Sequence, residues 1–120
     1  MLKKNINSLS LTLSLCFISS INVSAETIEV NFAYVGEQDH SAFLGVKQGL
    51  REANIQGQFL GQNYKLDVVS PADARNHDYS KYIAVLSAVN LKRFNSISEH
   101  LPDIAVFNLT IENDSLRSYL

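Results

Sequence analysis

TIEVNFAYVGEQDHSAFLGVKQGLREAN, residues 27–54, changes its apolar period halfway along, and that change sets the fold class. Over 27–35, Ile28, Val30, Phe32 and Tyr34 share one face of a β-strand, and Ala33 with Val35 makes its end apolar on both faces. Gly36-Glu37-Gln38-Asp39-His40 then interrupts the pattern as a polar loop. Ser41 is placed to cap a helix, with Glu37 and Asp39 near its positive end. Phe43, Val46, Leu50 and Ala53 recur at helical spacing, which predicts a helix over 41–54. Gly45 and Gly49 lie near that stripe. Glycine costs about 1 kcal/mol in a helix interior, so two of them imply close packing on a sheet.

The same alternation of periods continues downstream. GQFLGQNY, 57–64, reads as turns punctuated by Gly57 and Gly61, and YKLDVV, 64–69, as a second strand. The polar stretch 71–80 lacks a period and reads as loop with at most one helical turn. YIAVLSA, 82–88, is a continuous apolar run, as in a strand covered on both faces. Leu91, Phe94, Ile97 and Leu101 predict a helix over 90–101, capped by Asn90 and stopped by Pro102. DIAVFNL, 103–109, reads as a fourth strand of the same buried character, and 110–120 as a loop leading into another helix. Strands alternating with helices in this way predict a three-layer α/β domain with a mainly parallel sheet.

The N-terminus carries a different message. Lys3 and Lys4 precede a Ser-interrupted apolar stretch, 9–21, which closes on Val23-Ser24-Ala25. This is the pattern of a secretory signal peptide over 1–25, with cleavage after Ala25. The stretch is too short and too rich in Ser for a stable membrane insertion, which needs about 20 mostly apolar residues. The single cysteine, Cys16, lies inside it behind Leu15, a poor neighbour for lipid attachment, so residues 26–120 hold no cysteine for a disulfide. Two of the ten Lys and Arg also fall there, leaving eight against twelve Asp and Glu, a formal charge of −4. No run of basic residues marks a nucleic-acid or anionic-membrane partner.

Taken in order, these features resemble the opening of type 1 periplasmic solute-binding proteins, the family that includes leucine/isoleucine/valine-binding proteins of ABC importers. The resemblance rests on Gly45 and Gly49 in the first helix, Asn54 near its end, and the turn glycines Gly57 and Gly61. The second strand 66–69 with Asp73 after it, and LPDIAVFNLTIENDSLR at 101–117, complete it. The stretch REANIQGQFLGQNY is most similar to a sub-branch that accompanies pyrroloquinoline-quinone-dependent alcohol oxidation. The resemblance implies a periplasmic location, a small polar or amino-acid-like solute as ligand, and a membrane permease as partner. Family members have two lobes and capture ligand between them; residues 26–120 would correspond to an incomplete first lobe, of a truncated frame or a lone half-lobe. The stretch 71–82 is also short beside the helix usual there.

In open α/β sheets, ligands sit beyond the carboxyl ends of the strands. By resemblance, Ser87 and Ala88 after the third strand would meet a ligand carboxylate. Asn108 and Thr110 after the fourth, and Gln38 or His40 after the first, would complete the ligand-binding set. Neutral donors of this kind suit a zwitterion, since they hold it without burying an unpaired charge. The same polar residues are equally at home as helix caps and loop solvation. No cofactor and no metal site is expected: His77-Asp78 has no second His or Cys at ligand spacing. A rival reading is an exported small α/β hydrolase that uses the His40 loop with Glu37 and Asp39. Asn108-Leu109-Thr110 also matches a glycosylation triplet, a pattern common by chance.

Overall fold

A computed structural model of the chain describes residues 25–112, so the signal-peptide reading and the expected helix after 112 lie outside the described residues. Its elements follow in the order β1 (Ile28–Gly36), α1 (Ser41–Leu60), β2 (Gln62–Val69), β3 (Ala84–Ala88), α2 (Leu91–His100) and β4 (Ala105–Asn108). The four strands form one sheet in the order β2-β1-β3-β4. Every neighbouring pair is parallel. The protein is thus an α/β domain with an all-parallel four-stranded sheet and two helices. Among the described residues, no helix is long and apolar enough to cross a membrane.

Strand alternation assigns the two faces. In register, Tyr34 lies between Val68 and Leu86, and Val35 between Val69 and Ser87. Ala33, Val35, Val69 and Val85 belong to one cluster, which Ile97 of α2 and Ala74, Tyr79 and Tyr82 of the β2–β3 connection complete. Burying a side chain of this size stabilises by about 1.5–3 kcal/mol, so this face holds most of the core. The opposite face carries Tyr34 and Phe32. Phe43 of α1 sits on Tyr34 with ring centres 5.0 Å apart, and Tyr64 stacks beside Phe32 at 6.3 Å. The chain leaves β1 in one direction through α1 and crosses back through 70–83 in the other. With right-handed crossovers, that reversal puts the connections on opposite faces.

The helices differ from their sequence expectation in ways that have local causes. His40, not Ser41, caps α1: its backbone is extended and its Nδ1 accepts the Ala42 amide at 3.0 Å. The helix runs six residues past Asn54 to Leu60, through what reads in sequence as turns. Gly57 lies inside it, where a Cβ would come within 2.6 Å of the Gln62 carbonyl oxygen and 3.0 Å of the Tyr64 ring. Gly61 ends it with φ 64°, the left-handed conformation that glycine adopts without steric cost. Gly45 and Gly49 show no such contact: a Cβ on either would meet nothing within 4 Å. The close approach therefore lies one glycine further on. Asn54 instead clamps helix to sheet, donating to the Tyr64 carbonyl at 2.9 Å and accepting its amide at 2.7 Å. In α2, Asn90 caps as expected, accepting the Arg93 amide at 3.0 Å.

The connection from β2 to β3 covers the sheet without a helix. Tyr79 and Tyr82, 3% and 5% exposed, pack with His77 as a group of three rings. Tyr79 donates to the Ala74 carbonyl at 2.8 Å and Tyr82 to Asp67 Oδ2 at 2.8 Å. β3 is shorter than its apolar run, starting at Ala84, although the Ile83 amide still reaches the Asn31 carbonyl at 3.0 Å. β4 departs from the buried character expected of it. It is an edge strand, and Phe107, on the α1 side, is 53% exposed because α1 sits over β1 and β2. Val106, on the other side, packs against the core beneath α2.

Candidate functional site at the carboxyl edge of the sheet

Because all four strands run the same way, the loops that follow them share one edge. The sheet reverses its order between β1 and β3, and Gly36 pairs with Ala88 at that point. A crevice at such a reversal is the usual ligand position in open α/β sheets. Gly36 permits a close approach there: a Cβ on it would stand 2.7 Å from the Tyr34 hydroxyl and 3.1 Å from Ala88 Cβ. The Tyr34 side chain thus reaches the edge. Its hydroxyl donates to the Glu37 carbonyl at 3.2 Å and anchors the first loop. Burial, then the nearby Glu37 and Asp39 carboxylates, pushes the Tyr34 phenol above its ordinary value and keeps it a neutral donor.

The six sequence-expected positions all fall on this edge, but they are not alike. Gln38 and His40 are exposed, and His40 spends its Nδ1 on the α1 cap. Asn108 is spent locally as well. Its Oδ1 accepts the amides of Thr110 at 3.0 Å and Ile111 at 2.8 Å, and its Nδ2 donates to the Ile111 carbonyl at 2.7 Å. Thr110 follows as an exposed turn residue. Ala88 is half-buried beside Gly36. Ser87 is the exception: it is 1% exposed and its Oγ has no hydrogen-bond partner. Leaving a buried hydroxyl unpaired costs about 1–3 kcal/mol, so this side chain is the one unassigned polar group of the edge. Its backbone is engaged, the carbonyl accepting the Leu109 amide at 2.9 Å.

A second polar cluster lies on the α2 side of β2, away from the edge loops. Asp67 accepts from Lys81 Nζ at 2.6 Å and from the Tyr82 hydroxyl, and His77 Nε2 meets that hydroxyl at 3.2 Å. Hydrogen bonds from Lys81 and then Tyr82 hold the Asp67 carboxyl below the usual carboxylate range. Tyr82 gives its one proton to Asp67, so His77 Nε2 must donate to it. The arrangement ties the crossover to β2. Among the described residues, no three His, Cys, Asp or Glu side chains are grouped to hold a metal ion. No family model and no curated protein matches the chain.

Proposed function

We propose that the chain forms one wall of a solute-capturing site of a periplasmic importer component, taking a small polar or amino-acid-like molecule at the β1/β3 reversal. The supporting observation is the coincidence, at that reversal, of a loop-free glycine approach at Gly36–Ala88 with a buried hydroxyl, Ser87, that has no partner. The order of glycines, Asn54 and the strand-end polar residues, similar to type 1 periplasmic solute-binding proteins, gives the class of solute and the permease as partner. In that arrangement the outer side of the solute meets a second lobe, as the resemblance implies. Ser87, Ala88, Asn108 and Thr110 bring no charge to the edge, which suits a solute that brings both charges itself.

The hydrolytic alternative asks His40 to move a proton. Its Nδ1 instead accepts the Ala42 amide, so no observation favours that reading. The experiment is a thermal-shift screen of the purified chain against amino acids and small polar solutes. A solute present at 100 times its dissociation constant adds about 2.7 kcal/mol and raises Tm. Ala88→Leu, which fills the reversal, removes the shift while the free protein still melts cooperatively. A panel that moves Tm nowhere, or a shift that survives Ala88→Leu, refutes the proposal.

A further inference from the structure

Three cations from two distant parts of the chain line one groove. Arg75, from the first turn after β2, faces Lys92 and Arg93 of α2 across a cavity of about 380 Å³. Pro71, Ile97 and Leu101 supply its apolar lining, and His100 lines it as well. The groove exists because the β2–β3 crossover packs rings on the sheet instead of a helix, which leaves the flank of α2 open. Both walls are preformed. Ser70 Oγ donates to Asp73 Oδ2 at 2.7 Å and the Asn76 amide to the Asp73 carbonyl at 3.0 Å, fixing the turn that carries Arg75. Asn90 fixes the other wall through the Arg93 amide.

Among the described residues the ion pairs join Lys65 to Glu29 and Lys81 to Asp67, and neither involves Arg75, Lys92 or Arg93. In a chain of formal net charge −2, such a convergence is a local reversal of sign. The size selects among anions. α2 has ten residues, about 15 Å of helix, and the cavity falls at the small end of the range for small-molecule sites, about 300–1,000 Å³. A long polyanion would extend past it along a chain of net negative charge.

We infer that this groove binds a small amphiphilic anion, with a phosphate or carboxylate head on Arg75, Lys92 and Arg93 and an apolar body along Ile97 and Leu101. It begins at the same edge, after β2 and β3, runs along the flank of α2 away from the β1/β3 reversal, and does not depend on that proposal. Phenyl phosphate is the probe, with inorganic phosphate and phenol as its two halves. Titration calorimetry of the purified chain should show phenyl phosphate binding at least tenfold more tightly than either half, and more weakly as salt rises. Arg75→Gln with Arg93→Gln should weaken it at least tenfold, while Arg93→Lys retains most of the affinity. Backbone amide shifts on titration should map to 71–75 and 90–101, a readout that does not require the variants to fold. Shifts confined to 36–41 and 108–111, equal binding by inorganic phosphate, or affinity unchanged in the double variant would overturn the inference. So would capture of an acidic peptide by a chain that ignores phenyl phosphate.

Discussion

Ser87 sits where every neighbour is engaged, in register with Val35 on one side and Asn108 on the other, and its own hydroxyl bonds to nothing. Removing that hydroxyl breaks no hydrogen bond, so Ser87→Ala is expected to leave stability unchanged or raise it by about 1 kcal/mol. A urea unfolding curve checks this, and a loss of stability would show that the hydroxyl has a partner in solution. Tyr79 is the opposite case. Its hydroxyl is paired with Ala74, and burial, then the neighbouring Tyr82, pushes its phenol up to about 12. The unfolded chain ionises this group near 10, so its stabilising share is whole below pH 10 and is lost between pH 10 and about 12. Tyr79→Phe should cost about 1 kcal/mol at neutral pH and make unfolding less steep across that alkaline window, followed by circular dichroism.

The glycines of α1 fall into two kinds. Gly45 and Gly49 face open space, so alanine at either is expected to stabilise by about 0.4–1 kcal/mol through helix propensity. At Gly57 the first added carbon meets a backbone oxygen, and Gly57→Ala should destabilise by about 1–3 kcal/mol. Thermal melts of the three single variants should separate them by sign. In sequence Gly45 and Gly49 read as close-packed helix positions and Gly57 as a turn, which is why α1 reads as ending at Asn54. What distinguishes Gly57 is its approach to Gln62 and Tyr64, a contact made only after the chain has turned back. By contrast β1, β3 and the Asn90 cap are legible in sequence, because alternation and capping are decided by near neighbours. The exposure of Phe107 is not, since it depends on what lies beside the sheet. The site divides the same way: strand order places the six edge residues, but the turn that consumes Asn108 and the meeting of Arg75 with Lys92 and Arg93 arise only in three dimensions.

Across the whole molecule, stability is lopsided. The α2 face holds the buried cluster of Val35, Val69, Val85 and Ile97, whereas the α1 side tapers to Phe107 at the edge strand β4. The two joints on either side of β2 are equally unlike. Between α1 and β2 stands Gly61 alone, whereas 70–83 joins β2 to β3 through successive turns. The first joint has no slack. One residue inserted after Gly61 must either unwind the helix or slide β2 by a position, and a slide turns Tyr64 and Leu66 from Phe32 toward the opposite face. One residue inserted after Asn76, on an exposed turn, lengthens a path whose closure entropy rises by only about 0.6 kcal/mol per doubling. Unfolding midpoints of the two insertion variants should therefore differ widely, with the first the lower. Seen as a ruler, the joint at Gly61 is rigid and the 70–83 crossover elastic, so an added residue is tolerated far better in the segment that walls the cationic groove than between α1 and β2.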